Sequence, residues 1–466
     1  MSSTKQCSIS SPWDADQLRT VFVQALSNMY REEVPLYGKL VDIVRTVDSS
    51  VLEKRGKNLD DLPIRHQLER HGAIRLGTIQ EMRQISRLFA IMGMHPVGYY
   101  NLEMVGFPLH GTAFRPTSEE SLRRNPFRVF TTVLRPDLIV SPTVRETASE
   151  ILARRELFSP RLRELMNQAE QDVTRLTQKD ADELIVEALK VFKWHSRSTV
   201  PLETYLSLKQ EHPMVADIVC FPSAHINHLT PRTLDIDAVQ LEMIRQGLPA
   251  KECIEGPPAG RKCEILLRQT SFKALEEQVV FCGSGVSGTH TARFGEVEQR
   301  GAAVTRKGRD LYDKLLAAAV DLGNGWDQSL AQAFQDYPDD WTELRKQGLV
   351  YFRYRVSADA TSRNKEPLPT DMGALLQAGV VECEPITYED FLPFSAAGIF
   401  ASNLADTNGT ADRKLQATRC SSRVELEGVL GREILSEIDV YEALQRASVD
   451  EVANGLGLEE ITLAGQ

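Results

Sequence analysis

The sequence predicts an α+β chain in which one β-α-β-β-β unit is used twice, and three observations carry that prediction. His71-Gly72-Ala73-Ile74-Arg75 and His228-Leu229-Thr230-Pro231-Arg232 share a His-x-x-x-Arg spacing. Each is followed by apolar residues at helical spacing, over 79–91 and 236–244. Behind each helix come runs of strand composition. The order strand, helix, several strands thus occurs in duplicate, and pairing two such modules makes a central sheet with a cleft.

The elements follow in order. Residues 1–70 form a helical N-terminal region: Val21, Phe22, Ala25, Leu26 and Met29 make one apolar stripe, and Leu40, Val44, Val47 and Val51 a second. The first module, 71–138, carries a strand at 73–77, a helix at 79–92 and strands at 98–102, 111–115 and 127–134, with Pro96, Pro108 and Pro116 as punctuation. Residues 139–212 read as a helical insertion with segments near 144–156, 160–175, 181–193 and 201–211. The second module, 213–300, opens with a strand at 216–220 or at Ile226, then a helix at 235–246 and strands at 263–269, 278–282 and 291–299. Residues 301–466 form a mixed C-terminal region closing the site, with helices at 307–320 and 327–346, strands at 349–356 and 380–386, and a helical, acidic end.

Size and charge narrow the function classes. The 466 residues exceed what one small module needs, and 42% hydrophobic content is ordinary for a globular protein. With 54 Lys plus Arg against 65 Asp plus Glu, the net charge of -11 repels a phosphate backbone, so no nucleic-acid partner is expected. No basic-then-apolar leader opens the chain and no apolar run nears the ~18 residues a bilayer needs, so a cytoplasmic protein without a membrane partner is expected. Seven scattered cysteines, with no C-x-x-C, fit reduced thiols and offer neither a disulfide framework nor a zinc knuckle.

Among nine histidines, His71 and His228 stand out because they occupy matching places in the repeat. On an extended strand His71 shares a face with Arg75, and His228 with Arg232. His225 falls on the opposite face from His228, His66 has no repeat partner, and His290 is a reserve candidate that could reach the cleft from a loop. A carboxylate completing two imidazoles makes a facial set with open positions, suited to non-haem Fe(II). Glu296 and Glu298 share one face, so parity leaves either as that carboxylate. The matching strand of the first module has no acidic residue, and Asp137 follows Pro136 as in a turn, which points to one metal site per chain. Arg75, on the His71 face, is placed to hold a substrate carboxylate in its fork.

Gly283-Ser284-Gly285-Val286-Ser287-Gly288 fits G-x-G-x-x-G. A dinucleotide fingerprint needs a helix to start inside it. Here the strand-like Thr289-His290-Thr291 follows, so the stretch reads as a loop between strands. No G-x-S-x-G or P-loop is present, so nucleophilic catalysis is unsupported.

Four blocks then carry a resemblance: Arg70-His71-Gly72-Ala73-Ile74-Arg75-Leu76-Gly77-Thr78, Asn227-His228-Leu229-Thr230-Pro231-Arg232, Phe294-Gly295-Glu296-Val297-Glu298-Gln299-Arg300-Gly301 and Ser395-Ala396-Ala397-Gly398-Ile399-Phe400. In this order, across roughly 15–405, they resemble the 2-oxoadipate dioxygenase/decarboxylase family, also called 2-hydroxyglutarate synthases. The resemblance implies a vicinal-oxygen-chelate fold of paired βαβββ modules and one Fe(II) per chain. By motif it places the metal ligands on His71, His228 and Glu296, which favours Glu296 over Glu298, and the substrate-binding arginine on Arg75. A further substrate contact falls on Phe394, where relatives tend to have Val.

The implied activity is conversion of 2-oxoadipate, a 2-oxo dicarboxylic acid, and O2 to 2-hydroxyglutarate and CO2, as in lysine degradation. Two other readings remain open from sequence. The same architecture could serve isomerisation or ring cleavage, or the chain could bind a dicarboxylate or metal without catalysis.

Overall fold

Strand β1 (His71–Leu76) buries all six of its residues, and the two-residue period of a strand sorts their side chains between two faces. Ile74 and Leu76 enter one hydrophobic cluster and Ala73 another. His71 and Arg75 therefore share the Ala73 face. The computed structural model describes residues 13–103, 106–283, 285–321, 326–358, 368–392 and 418–463, a mixed α/β chain.

Helix α1 (Ala15–Glu33) and helix α2 (Pro35–Glu53) precede β1, as the two apolar stripes require. Helix α3 (Ile79–Ile91) starts at Thr78, whose hydroxyl accepts from Glu81 N while the Glu81 carboxylate accepts from Thr78 N. That reciprocal cap contributes about 1 kcal/mol and stops β1 cleanly. Met82, Ile85, Leu88 and Phe89 on α3 then cover Ile74 and Leu76. β2 (His95–Asn101), β3 (Leu109–Arg115) and β4 (Arg128–Leu134) follow within a few residues of their predicted spans. The sheet order is β2-β3-β4-β1-β5, with β4 parallel to β1 and the β2–β3 and β3–β4 pairs antiparallel.

The second half again runs strand, helix, strands, but among the described residues up to Arg300 four strands follow its helix, Ile236–Arg245, and they pair first with fourth and second with third. β5 (Leu229–Thr230) runs antiparallel to β1, with His71 opposite Thr230 and Gly72 opposite Leu229. Just beyond β5, Arg232 bridges in parallel to Glu298 of β9 (Glu296–Arg300), which pairs antiparallel with β6 (Leu267–Ser271). Ala250 bridges in turn to Phe272, just past β6, and Glu255 to Gln269 within it. Gly72 makes the junction possible, because a Cβ there would lie 2.6 Å from Ile226 Cδ1 and 2.9 Å from the His228 carbonyl oxygen.

Several predicted elements are corrected. The strand expected at 216–220 is part of helix Pro213–Val219, all of whose residues after Pro213 are buried. A short, almost wholly apolar run has no period to read; Pro213 at its first turn and the His212 cap decide for helix. The strand expected over 291–299 is two strands, β8 (Ser287–Thr291) and β9, separated at 292–295. β8 pairs with β7 (Glu276–Val280), and the Gly-rich stretch is the hairpin connection, with positive φ at Gly283 and Gly285 and Phe281 N donating to Val286 O. The helix expected over 327–346 is two, Trp326–Ala333 and Trp341–Lys346, split where Pro338 removes a backbone donor.

The segments predicted helical between the modules form Pro142–Ala153, Pro160–Gln171, Gln178–Phe192 and Leu202–Glu211. Arg155 donates to both Glu81 oxygens at 2.8 Å, tying these helices to α3. The C-terminal residues build a separate cluster around β10 (Phe352–Val356) and β11 (Val381–Pro385), covered by helix Glu437–Leu456. That helix is pinned to the central sheet through Asp390, which accepts from Arg115 Nε and Nη2 at 2.6 and 2.8 Å and from the Tyr441 hydroxyl at 2.5 Å.

Candidate metal centre

The alternation along β1 and β9 and the antiparallel crossing of β5 aim three side chains at one point. His71 opens β1, His228 sits one residue before β5, and Glu296 opens β9. One ligand atom from each lies within 4.8 Å of the other two, and all three residues are buried. Glu296 Oε2 is 3.7 Å from His71 Nε2 and 3.5 Å from His228 Nε2. Two imidazoles and one carboxylate on one side of a point form the donor set that divalent first-row metals take up with positions left open.

Hydrogen bonding fits a bound cation. Both ring nitrogens of His228 and both oxygens of Glu296 are buried without a hydrogen-bond partner among the described residues. Each such group costs about 1–3 kcal/mol if it stays unsatisfied, so four together are expensive unless a ligand serves them. Gln269 Oε1, Ser271 Oγ and Thr132 Oγ1, each in a strand of the two modules, are buried and unpartnered among the described residues as well. The Thr230 hydroxyl lies 3.0 Å from His71 Nε2 and competes for that nitrogen.

His71 is oriented from behind. Its Nδ1 lies 2.9 Å from Glu298 Oε2 and 3.1 Å from Arg128 Nη2. Arginine cannot accept, so the consistent tautomer has Nδ1–H donating to Glu298 and the lone pair on Nε2. Glu298 accepts from Arg300 Nε and Nη2 at 2.6 and 2.7 Å and from Arg128 Nη2 at 2.9 Å. Burial pushes its carboxyl above the ordinary value while Arg128 and Arg70 pull it down; the two-pronged contact with Arg300 is the geometry of an ionised carboxylate. On the other imidazole, the Phe294 ring stacks on His228 with centroids 4.6 Å apart. The Tyr30 hydroxyl of α1 reaches the carbonyl oxygens of Asn227 and Phe294 at 2.8 and 2.7 Å, so the N-terminal helices brace this side of the site.

The charges suit metal binding. Burial, with Arg128 and Arg70 nearby, holds His71 well below the usual imidazole range; burial, with His71, Arg75 and Lys251, does the same to His228. Both rings are therefore neutral at pH 7, the form in which an imidazole can ligate a metal. Burial pushes the Glu296 carboxyl well above the usual carboxylate range, with Lys251 pulling against it, so a cation beside it would favour its ionised form.

Arg75 is buried on the same face and donates from Nη1 to Asp217 Oδ2 at 2.6 Å. Its neighbourhood contains residues that sequence reading set aside or missed. His225 Nε2 and His290 Nε2 lie 3.1 and 2.9 Å from Asp217 Oδ1. His290, held in reserve as a loop residue, is in β8 and belongs to this second cluster instead of the metal centre. His225 Nδ1 is buried without a partner among the described residues. Burial alone would raise the Asp217 carboxyl, but His225 and Arg75 beside it hold it well below the usual range. One signal for Asp217 was available: it is the only charged residue in the apolar run Pro213–Val219. His66 Nε2 lies 3.0 Å from Arg232 Nη1 and is not among the three residues that converge. Phe394 and the Ser395–Phe400 block lie outside the described residues.

A family model described as 2-oxoadipate dioxygenase/decarboxylase matches residues 22–403. A curated 2-oxoadipate dioxygenase/decarboxylase of Escherichia coli K12 is 48% identical over 446 residues, 93% of this chain and 97% of that protein. One from Pseudomonas putida KT2440 is 46% identical over 459 residues, 95% of this chain and 97% of the relative. The crystal structure of the hydroxyglutarate synthase from Pseudomonas putida in complex with 2-oxoadipate superposes with a TM-score of 0.87 at 45% identity, covering 96% of this chain and 100% of that one.

Proposed function

The chain belongs to the 2-oxoadipate dioxygenase/decarboxylase family, and on that premise we propose that it converts 2-oxoadipate and O2 to 2-hydroxyglutarate and CO2 using one Fe(II) per chain. The observation that carries this reading is the meeting of His71 Nε2, His228 Nε2 and a Glu296 oxygen at a buried point, with the His228 and Glu296 atoms unclaimed by any hydrogen-bond partner among the described residues. The repeated strand order, with β1 and the 229–232 strand side by side at its middle, supports a vicinal-oxygen-chelate arrangement of paired βαβββ modules.

The reaction balances without a second 2-oxo acid: the carbon skeleton loses one carboxylate as CO2, and the two oxygen atoms of O2 enter the new carboxylate and the new hydroxyl. Fe(II), when bound, would supply a redox-active centre and the coordination positions at which a 2-oxo acid and O2 meet, while the four electrons that reduce O2 come from the substrate. The chain's own residues do the rest. His71, His228 and Glu296 would hold the ion. Glu298 keeps the His71 lone pair on Nε2. Arg75 pairs with the distal carboxylate, which fixes the reacting end of the diacid and favours it over a monoacid. The far-end contact carried over by resemblance is Phe394, tested by Phe394→Val and its effect on chain-length preference.

The decisive experiment is oxygen uptake by anaerobically Fe(II)-loaded protein given 2-oxoadipate, run beside His71→Ala and Glu296→Ala with products identified by mass. Stoichiometric O2 loss with 2-hydroxyglutarate formed, abolished in both variants, is the expected result. Absence of uptake by the loaded wild type while 2-oxoadipate still binds overturns the proposed activity.

A further inference from the structure

Asp217 is 3% exposed, and burying a carboxylate is unfavourable unless its charge is matched and its lone pairs are filled. Both conditions are met, and the two oxygens divide the work. Oδ2 accepts from Arg75 Nη1 at 2.6 Å, while Oδ1 is held between His225 Nε2 at 3.1 Å and His290 Nε2 at 2.9 Å. His290 is fixed in turn: its Nδ1 faces the Tyr205 hydroxyl at 3.0 Å, and the Trp194 ring lies parallel to it, 13° between planes. The same Trp194 meets His225 edge-on, with centroids 4.8 Å apart. The carboxylate that contacts Arg75 is thus locked in place by groups from β8, from helix Leu202–Glu211 and from the segment leading to His228.

A second contact meets the same guanidinium nitrogen. In the amide orientation that satisfies both of its polar atoms, Asn227 accepts from Arg75 Nη1 at 2.9 Å and donates to the Ala73 carbonyl at 3.1 Å. Asn227 immediately precedes His228, so the direction of Arg75 is referenced to the strand that carries an imidazole of the metal centre.

We propose that Asp217 is a positioning residue: it holds the Arg75 guanidinium at the angle from which the fork receives the distal carboxylate of a 2-oxo diacid, and so sets the preference for diacid over monoacid. This rests on the reading of Arg75 as the carboxylate-binding residue. A planar guanidinium offers donors on more than one edge, so a protein carboxylate at Nη1 and a substrate carboxylate can share it. Holding it in advance removes the ordering cost that a free arginine would meet on binding.

The test uses the full-length Fe(II)-loaded protein under anaerobic conditions, with calorimetric Kd values for 2-oxoadipate and for 2-oxohexanoate, which has the same chain length and no distal carboxylate. Oxygen-uptake kcat is measured in parallel. Asp217→Asn is expected to raise the 2-oxoadipate Kd by about tenfold, the scale of one misaligned charge-assisted contact. The 2-oxohexanoate Kd and kcat should stay within about threefold, a change below 1 kcal/mol. In an Arg75→Met background the same substitution should add nothing. His290→Gln, which leaves the Asp217–Arg75 contact intact, should give a smaller rise in the same direction and serves if Asp217→Asn folds poorly. Equal losses for diacid and monoacid, or an undiminished effect in the Arg75→Met background, overturn the inference. An Arg75→Met variant that keeps its diacid preference overturns the reading of Arg75, and this inference with it; diacid preference lost in Arg75→Met but kept in both Asp217→Asn and His290→Gln overturns this inference alone.

Discussion

Glu298 Oε2 lies 2.9 Å from His71 Nδ1, while the opposite ring nitrogen, Nε2, faces Glu296 Oε2 at 3.7 Å. Two carboxylates one strand-period apart thus address the two nitrogens of one imidazole. The first sets the tautomer that the second, with a metal, would use. Glu298→Gln is therefore expected to weaken Fe(II) binding about 10–100-fold, the usual effect of losing such a partner. Anaerobic Fe(II) titration measures it; unchanged affinity would show that Glu298 does not orient His71.

Gly72 is expected to tolerate no side chain. Gly72→Ala would drive a methyl against the His228 carbonyl oxygen and Ile226, forcing β1 from the neighbouring strand and pulling the two imidazoles apart. Overpacking of this kind costs about 1–3 kcal/mol. Urea denaturation and metal titration should both register it, and a variant with normal values in both would show that the junction yields without cost.

One metal per chain is the expectation that strand register supports. Ala73, two residues beyond His71, pairs with Phe130 on β4. Thr230, two beyond His228, has Glu296 at the matching place on β9, since Arg232 pairs with Glu298. Phe130 therefore stands in the first module where Glu296 stands in the second, and it cannot ligate. Elemental analysis of Fe(II)-loaded protein should give about one iron per chain for a single His, His and Glu set, lost in Glu296→Ala. A ratio near two would require a second site.

Acid stability should depend on Glu389. Burial alone would raise its carboxyl, but Arg70 and Arg65 beside it bring it down to about 2. A depressed carboxylate contributes stability that is present above its unfolded value near 4.5 and is lost as pH falls through about 2. Glu389→Gln should lower stability at pH 7 by about 3 kcal/mol and show a shallower loss on acidification below the unfolded value. Denaturant midpoints across this pH range test it, and parallel curves for the two proteins would contradict it.

Much of the first module could be read directly. The period-two alternation of 71–76, the helical period of 79–91 and the Pro-punctuated strands behind them are local properties, and tertiary packing did not override them. The second module was harder because its elements are short: β5 has two residues, and the helix Pro213–Val219 is apolar except for Asp217. Neither contains enough of a period to identify. The Gly-rich stretch was legible as a loop between strands, because glycines supply the positive φ of a tight connection, whereas the break of the 291–299 run into β8 and β9 was not.

The sequence by itself determined the recurrence of a strand followed by a helix and further strands, and the shared faces of His71 with Arg75 and of Glu296 with Glu298, because side-chain direction along a strand follows from the backbone alone. Strand parity left open which carboxylate meets both imidazole Nε2 atoms; the resemblance favoured Glu296, and the tertiary structure supplies the physical reason and shows that Glu298 supports His71 from behind. Glu296 and Glu298 have the same parity, and they are told apart by the register of β9 against the strand that carries Arg232. Only the tertiary structure decided that Asp217, 142 residues from Arg75 along the chain, would be its partner. Pairing across such a separation depends on how sheets and helices pack, and nothing in the local sequence records it.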